Sequence, residues 1–179
     1  MAQARTPLRL GRQASADPSE WGSSGHDQRM LQQDLRRLVV NTSAEGFTDL
    51  TASINAEIKA SGLQQGILQL VTLHTSCSLT INENADPRVL IDLAAHLRAL
   101  VPERGVRSLG PVEAMHHYRH DDEGDDDMPA HIRTSLTCTS LGLSFDRGQL
   151  VLGCWQAVYL WEHCARPHRR QLSLHLIGT

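Results

Sequence analysis

What the sequence lacks narrows its class before any motif is weighed. No apolar run approaches the ~20 residues that a membrane-spanning helix needs. The N-terminus carries arginines with no apolar stretch behind them, so nothing marks the chain for secretion. No two of the four cysteines, Cys77, Cys138, Cys154 and Cys164, form a CxxC pair. Without a secretory signal, they are expected as reduced, mostly buried thiols rather than a disulfide framework. A basic excess is missing too: the net charge of -3 gives no electrostatic case for nucleic acid or an anionic membrane. There is no internal repeat. The expectation is a soluble, cytoplasmic protein that works on something small.

What is present suits one folded unit. At 179 residues, 40% hydrophobic and 21% charged, the chain is long enough to bury a substantial core. Residues 1–29, rich in Ser, Gly, Arg, Gln and Pro, show no sustained apolar period and are expected as a disordered extension of a domain spanning 30–179. "LRRLVVNTS" reads as a first strand. In "TDLTASINAEIKASG" the spacing of Leu50, Ile54 and Ile58 predicts a helix, with Thr48 as its cap and Gly62 as its end. "GILQLVTLHTSCSLTIN" reads as one or two strands. "DPRVLIDLAAHLRALVP" predicts a helix capped by Asp86, with Pro87 in its first turn and Val89, Leu90, Leu93, Leu97 and Leu100 as the buried stripe; His96 falls beside it. Residues 102–117 read as a Gly/Pro/Arg loop. Beyond a short helix at "AHIRTSLT", the segments "GLSF", "GQLVLGCWQAVYLWEH" and "RRQLSLHLIG" read as strands. Sequential strands outnumbering helices predict an α+β fold with an antiparallel sheet.

Ten histidines raise metal or proton chemistry above its usual prior. His74 stands at a strand end among hydroxyls in "VTLHTSCS". His120 and His131 bracket the acidic stretch "YRHDDEGDDDMPAHIRTS", and their spacing lets a loop fold both onto one centre. Alternatives stay open: His116 and His117 crowd the same segment, and His163, His168 and His175 lie near the C-terminus. Asp125, Asp126 and Asp127 read as a solvated turn, whereas Glu123 precedes Gly124, which can bend sharply beside the histidines. In "TINENADP", Glu83 lies at a strand-to-helix junction, as a carboxylate for a site or as turn chemistry. Trp155, Tyr159 and Trp161 are spaced to share one strand face, as core or as a subunit contact. Arg166, Arg169 and Arg170 offer phosphate-binding forks or a charged turn.

Four of these stretches, "LHTSCSLTINENADPRVLIDL", "YRHDDEGDDDMPAHIRTSL", "GQLVLGCWQAVYLWEH" and "RRQLSLHLIG", taken together in this order resemble the YjbQ family, also called the secondary thiamine-phosphate synthase family. The likeness runs from about Gln32 to Gly178. It implies an antiparallel sheet curled into a half-barrel with a few packed helices, assembled as a homotrimer. It implies a divalent metal, zinc, on His74, His120 and His131. It also implies a weak transferase activity that joins a pyrimidine diphosphate to a thiazole phosphate with loss of pyrophosphate. On this reading the protein is a metal-dependent enzyme on phosphorylated metabolites, with Glu83 or Glu123 as proton acceptor. The alternative is a trimeric protein that binds metal or a phosphometabolite without turnover. Cys77 and Cys154 depart from the family's usual alanine and threonine, and the 102–117 loop is longer than the family's.

Overall fold

The computed structural model describes residues 30–107 and 114–179; the extension expected over 1–29 lies outside the described residues. In chain order the elements are β1 (Gln32–Thr42), β2 (Gly46–Asp49), α1 (Thr51–Ser61), β3 (Gln65–Thr72), β4 (Cys77–Glu83), α2 (Pro87–Leu100), β5 (Val106–Arg107), β6 (Met115–His116), α3 (Asp127–Leu136), β7 (Ser140–Asp146), β8 (Gln149–Leu150), β9 (Gln156–Glu162) and β10 (His168–Gly178). Every strand pairing is antiparallel. A five-stranded sheet in the order β1-β10-β3-β7-β8 and a three-stranded sheet in the order β2-β9-β4 form a half-barrel in one domain, and β5 pairs with β6.

Period-two patterning decides which faces meet. On β10, Leu172, Leu174 and Leu176 point inward and are fully buried, while Gln171, Ser173 and His175 take the other face. Each such leucine stabilises by about 1.5–3 kcal/mol through burial. Sequestered Leu79, Val158 and Leu160 approach from the second sheet, and α1 closes the core with Leu50, Ile54 and Ile58. Gly62 ends α1 in the left-handed region at φ 79°, which glycine adopts without a Cβ clash. No helix among the described residues is long and apolar enough to cross a membrane.

Five expectations need correcting. Thr48 does not cap α1: it lies in β2, and the Asp49 carboxylate accepts from the Thr51 N–H at 2.8 Å instead. The strand foreseen across 148–163 breaks between β8 and β9, where the Gly153 N–H donates to the Gln156 side chain at 2.8 Å and folds a turn. Trp155 falls in that turn, 65% exposed, so it does not share a face with buried Tyr159 and Trp161. On α2, Asp86 caps and Pro87 opens the helix as expected. Its last turn runs past the sheet, however, leaving Leu100 59% exposed while Ala94 joins Leu97 in burial. The 102–117 loop contains the short β5–β6 ribbon.

The chain changes sheet three times at one end of the half-barrel: between β1 and β2, between β3 and β4, and between β9 and β10. A buried ion pair ties these corners together. Arg170 Nε donates to Glu162 Oε2 at 2.7 Å, the Thr42 hydroxyl donates to the same oxygen at 2.9 Å, and the Cys164 N–H donates to Oε1 at 3.1 Å. Burial alone would push the Glu162 carboxyl up; the Arg170 hydrogen bonds, helped by Cys164 and Thr42, outweigh it and hold the group below its ordinary range. His74, Cys164 and Arg166 all sit on these corner segments, so the ion pair fixes the floor on which the candidate site is built.

Candidate metal centre

The acidic stretch folds onto this corner through α3. Gly124, at φ 132°, takes a backbone conformation that side chains disfavour and makes the bend that leads into the helix. The Asp126 carboxylate accepts from the Ala165 N–H at 2.7 Å, pinning the helix start to the β9–β10 corner. Asp127 then opens α3, where a negative charge suits the helix N-terminus. Four residues on, His131 projects from the same helix face. Asp127 is buried, and its two oxygens face two imidazoles: Oδ2 lies 3.0 Å from His120 Nε2, and Oδ1 lies 3.4 Å from His131 Nε2. The two rings are 5.3 Å apart.

One hydrogen bond fixes what His131 can offer. Its Nδ1 lies 2.9 Å from the Thr75 carbonyl, which only accepts, so Nδ1 carries a proton and Nε2 is the ring nitrogen left to face the carboxylate. Nε2 and the carboxylate oxygen can share either a proton or a metal ion held between them. His120, Asp127 and His131 bring one donor atom each within 4.8 Å of one another. Two imidazoles and a carboxylate are a donor set suited to a zinc-class ion, and the backbone carbonyl on the far nitrogen is the outer-shell partner such ligands have. The residues present therefore fit a divalent transition metal. Among the described residues no fourth His, Cys, Asp or Glu joins this group at that distance.

His74 lies close by but is used differently. Its Nε2 accepts the Gln171 N–H at 2.8 Å, so its proton is on Nδ1 and the ring presents a donor rather than a lone pair. Burial, then the Arg170 guanidinium, holds its pKa below the ordinary histidine value, consistent with a neutral ring. To bind a metal, His74 would have to give up the Gln171 bond. It shares a cavity with His131. On the other side of Asp127, a smaller cavity of about 180 Å³ is lined by Glu123, Asp126, Cys164, Arg166 and His168, so Glu123 does stand beside the cluster.

Glu83 does not. It ends β4, paired with Gln156, while β4 begins at Cys77 close to His74. Seven strand residues separate the two ends by roughly 20 Å at ~3.3 Å per residue. His117 shares an outer cavity with His120, and His116 lies in β6; neither enters the three-residue group. His96 is exposed on α2, and His175 lies on the outward face of β10. Arg170 is no phosphate fork, since Glu162 holds its guanidinium. That pairing also occupies the Glu162 carboxylate, so the nearby Glu162, Cys164 and His168 group lacks a free oxygen for a metal.

Sequence reasoning missed Asp127 as a ligand, having placed it in a solvated turn. A signal was there: Asp127 and His131 stand four apart around Pro129, a helix-opening residue.

Comparison with known proteins agrees with this architecture. The model of the UPF0047 YjbQ-like family matches residues 36–179. A UPF0047 protein of Synechocystis is 45% identical over 79% of this chain and 89% of its own length. The UPF0047 protein YjbQ of Salmonella typhimurium is 40% identical over 80% of this chain and 96% of its own. The crystal structure of a conserved protein from Thermus thermophilus, 34% identical, superposes with a TM-score of 0.63 over 79% of this chain and 98% of its own. A YbjQ-like protein from Sulfolobus solfataricus shares the fold at a TM-score of 0.70 and 17% identity, over 84% of this chain and all of its own. Family match, relatives and half-barrel concur, and the chain belongs to the UPF0047 YjbQ-like family.

Proposed function

We propose that the protein is a metal-dependent enzyme acting on phosphorylated metabolites, for which thiamine-phosphate synthase is a secondary activity, and that it works in the cytoplasm as a homotrimer. The observation that carries this reading is the convergence of His120 and His131 on the two oxygens of the buried Asp127 carboxylate, with the far nitrogen of His131 held by the Thr75 carbonyl. His120, Asp127 and His131 would hold the ion, and His74 is the fourth candidate. When bound, a zinc-class ion supplies Lewis acidity toward a phosphate oxygen.

The chain's own groups set the rest. The Thr75 carbonyl keeps the His131 ring in one orientation. Glu123 stands in the adjoining cavity, placed to accept a proton from a nucleophile or to orient a hydroxyl. Arg166 lines the same cavity and can neutralise an anionic leaving group. Glu83 takes part only where another chain brings the far end of β4 to the cluster, which the homotrimer would have to do. With His74 engaged by the Gln171 N–H, the fourth position would be left to water or substrate, which favours an enzyme or a ligand-binding centre over a purely structural metal.

Zinc-loaded protein supplied with a pyrimidine diphosphate and a thiazole phosphate should release pyrophosphate slowly, and His131→Ala should stop it. Zinc-loaded protein that binds phosphorylated compounds but turns none over would support the non-catalytic alternative.

A further inference from the structure

His131 also borders the larger cavity, about 490 Å³, whose lining does not include Glu123. Besides His74 and His131, it is lined entirely by hydroxyl side chains, Thr75, Ser135, Thr137 and Thr139 among them, with no lysine, arginine, aspartate or glutamate. Its size is that of a small-metabolite pocket.

The polarity of its walls is set by bonds already made. The Ser135 hydroxyl donates to the Ile132 carbonyl at 2.7 Å, and the Thr137 hydroxyl to the Arg133 carbonyl at 2.8 Å. With their protons spent, both oxygens can only accept. They stand at the C-terminal end of α3, where the helix dipole disfavours an anion. Opposite, His74 supplies a donor, because its Nε2 is taken by the Gln171 N–H. Acceptors on one wall, an uncharged donor at His74 and the buried Thr134 hydroxyl, which has no partner among the described residues, match a group that both donates and accepts and carries no charge. That group is a hydroxyl. At the Ser135–Thr137 wall a phosphate would meet lone pairs at the C-terminal end of a helix, and a flat heteroaromatic ring would leave those oxygens unpaired.

We infer that this cavity holds the uncharged, hydroxylated part of a sugar- or glycerol-like phosphate, whose phosphate lies toward the His120–Asp127–His131 cluster. The placing of the phosphate rests on the metal reading above; the hydroxyl subsite does not.

Calorimetric titration of the full, zinc-loaded chain with ribose 5-phosphate, a thiazole phosphate and inorganic phosphate tests the inference. Ribose 5-phosphate should bind roughly tenfold tighter than either of the others, since one or two net hydrogen bonds carry that much. Thr137→Val should remove most of that preference and leave the affinity for inorganic phosphate unchanged. Because Thr137 also ends α3, Ser135→Ala at an exposed position serves as a second variant with the same expectation. Equal binding of ribose 5-phosphate and inorganic phosphate, or a preference for the thiazole phosphate, would overturn the subsite. Titrating the metal-free chain with ribose while following the His74 ring by NMR separates the two claims. A shifted His74 signal in a protein that takes up no zinc supports the subsite and sinks the metal reading. Zinc-dependent phosphate binding with an unmoved His74 signal does the reverse.

Discussion

At the scale of single residues, two buried groups make the fold sensitive to acid. His163 is 1% exposed, and its Nε2 lies 2.8 Å from the Ser78 hydroxyl. Burial first, then the Arg133 guanidinium, pushes its pKa from 6.5 down to about 3. Between those values the unfolded chain takes up a proton that the folded chain refuses, so stability falls as pH drops through that window. By pH 5 this one group accounts for about 2 kcal/mol. Urea unfolding at pH 7 and pH 5 should show that loss, and His163→Gln should flatten it; an unchanged slope in the variant would refute the assignment. Glu162 acts lower on the scale. Its carboxyl is held below the ordinary range, so its stabilisation is present above the unfolded carboxylate pKa and disappears as pH falls through the folded one. Glu162→Ala, which leaves the Arg170 charge buried alone, should cost about 3–5 kcal/mol. A loss under about 1 kcal/mol, the size of an exposed pair, would show that the pair does not tie the corner.

At the scale of elements, local chemistry was legible wherever pattern and packing agreed. The spacing of Leu50, Ile54 and Ile58 found α1, and the alternation on β10 found its inward leucines, because each face meets one environment. The break between β8 and β9 was hidden inside a β-rich run, since a turn closed by the Gln156 side chain leaves little trace in hydrophobicity. Asp127 was illegible for a related reason. Among three consecutive aspartates, only the position of the helix start decides which one is buried. His74 was legible as a candidate, but its donor role depends on a backbone N–H at Gln171, far away in sequence. The close pairing of β3 with β10 yields a further prediction. A Cβ at Gly66 would run into the Ile177 backbone oxygen and lie 2.8 Å from the Phe145 ring. Gly66→Ala should therefore destabilise by about 1–3 kcal/mol in thermal unfolding, the usual range for overpacking. A neutral or stabilising result would mean that the two strands are further apart than described.

At the scale of the whole molecule, the outward face of the five-stranded sheet carries Leu35, Val39 and Ile67, with Leu35 69% and Ile67 57% exposed. Apolar side chains gathered on one face of a sheet suit contact between copies of the chain. Light scattering at micromolar concentration should return three times the chain mass of 19.8 kDa, and a monomer mass would contradict the proposed assembly. Leu35→Lys together with Ile67→Lys should then release monomers, if that face is the contact.

The central claim is that His120, Asp127 and His131 hold one divalent metal, and elemental analysis of the purified protein tests it most directly. One zinc-class ion per chain is expected, lost in Asp127→Ala and in His131→Ala and retained in His96→Ala, with all three variants folded by circular dichroism. A folded Asp127→Ala or His131→Ala protein that still carries one ion per chain would contradict it.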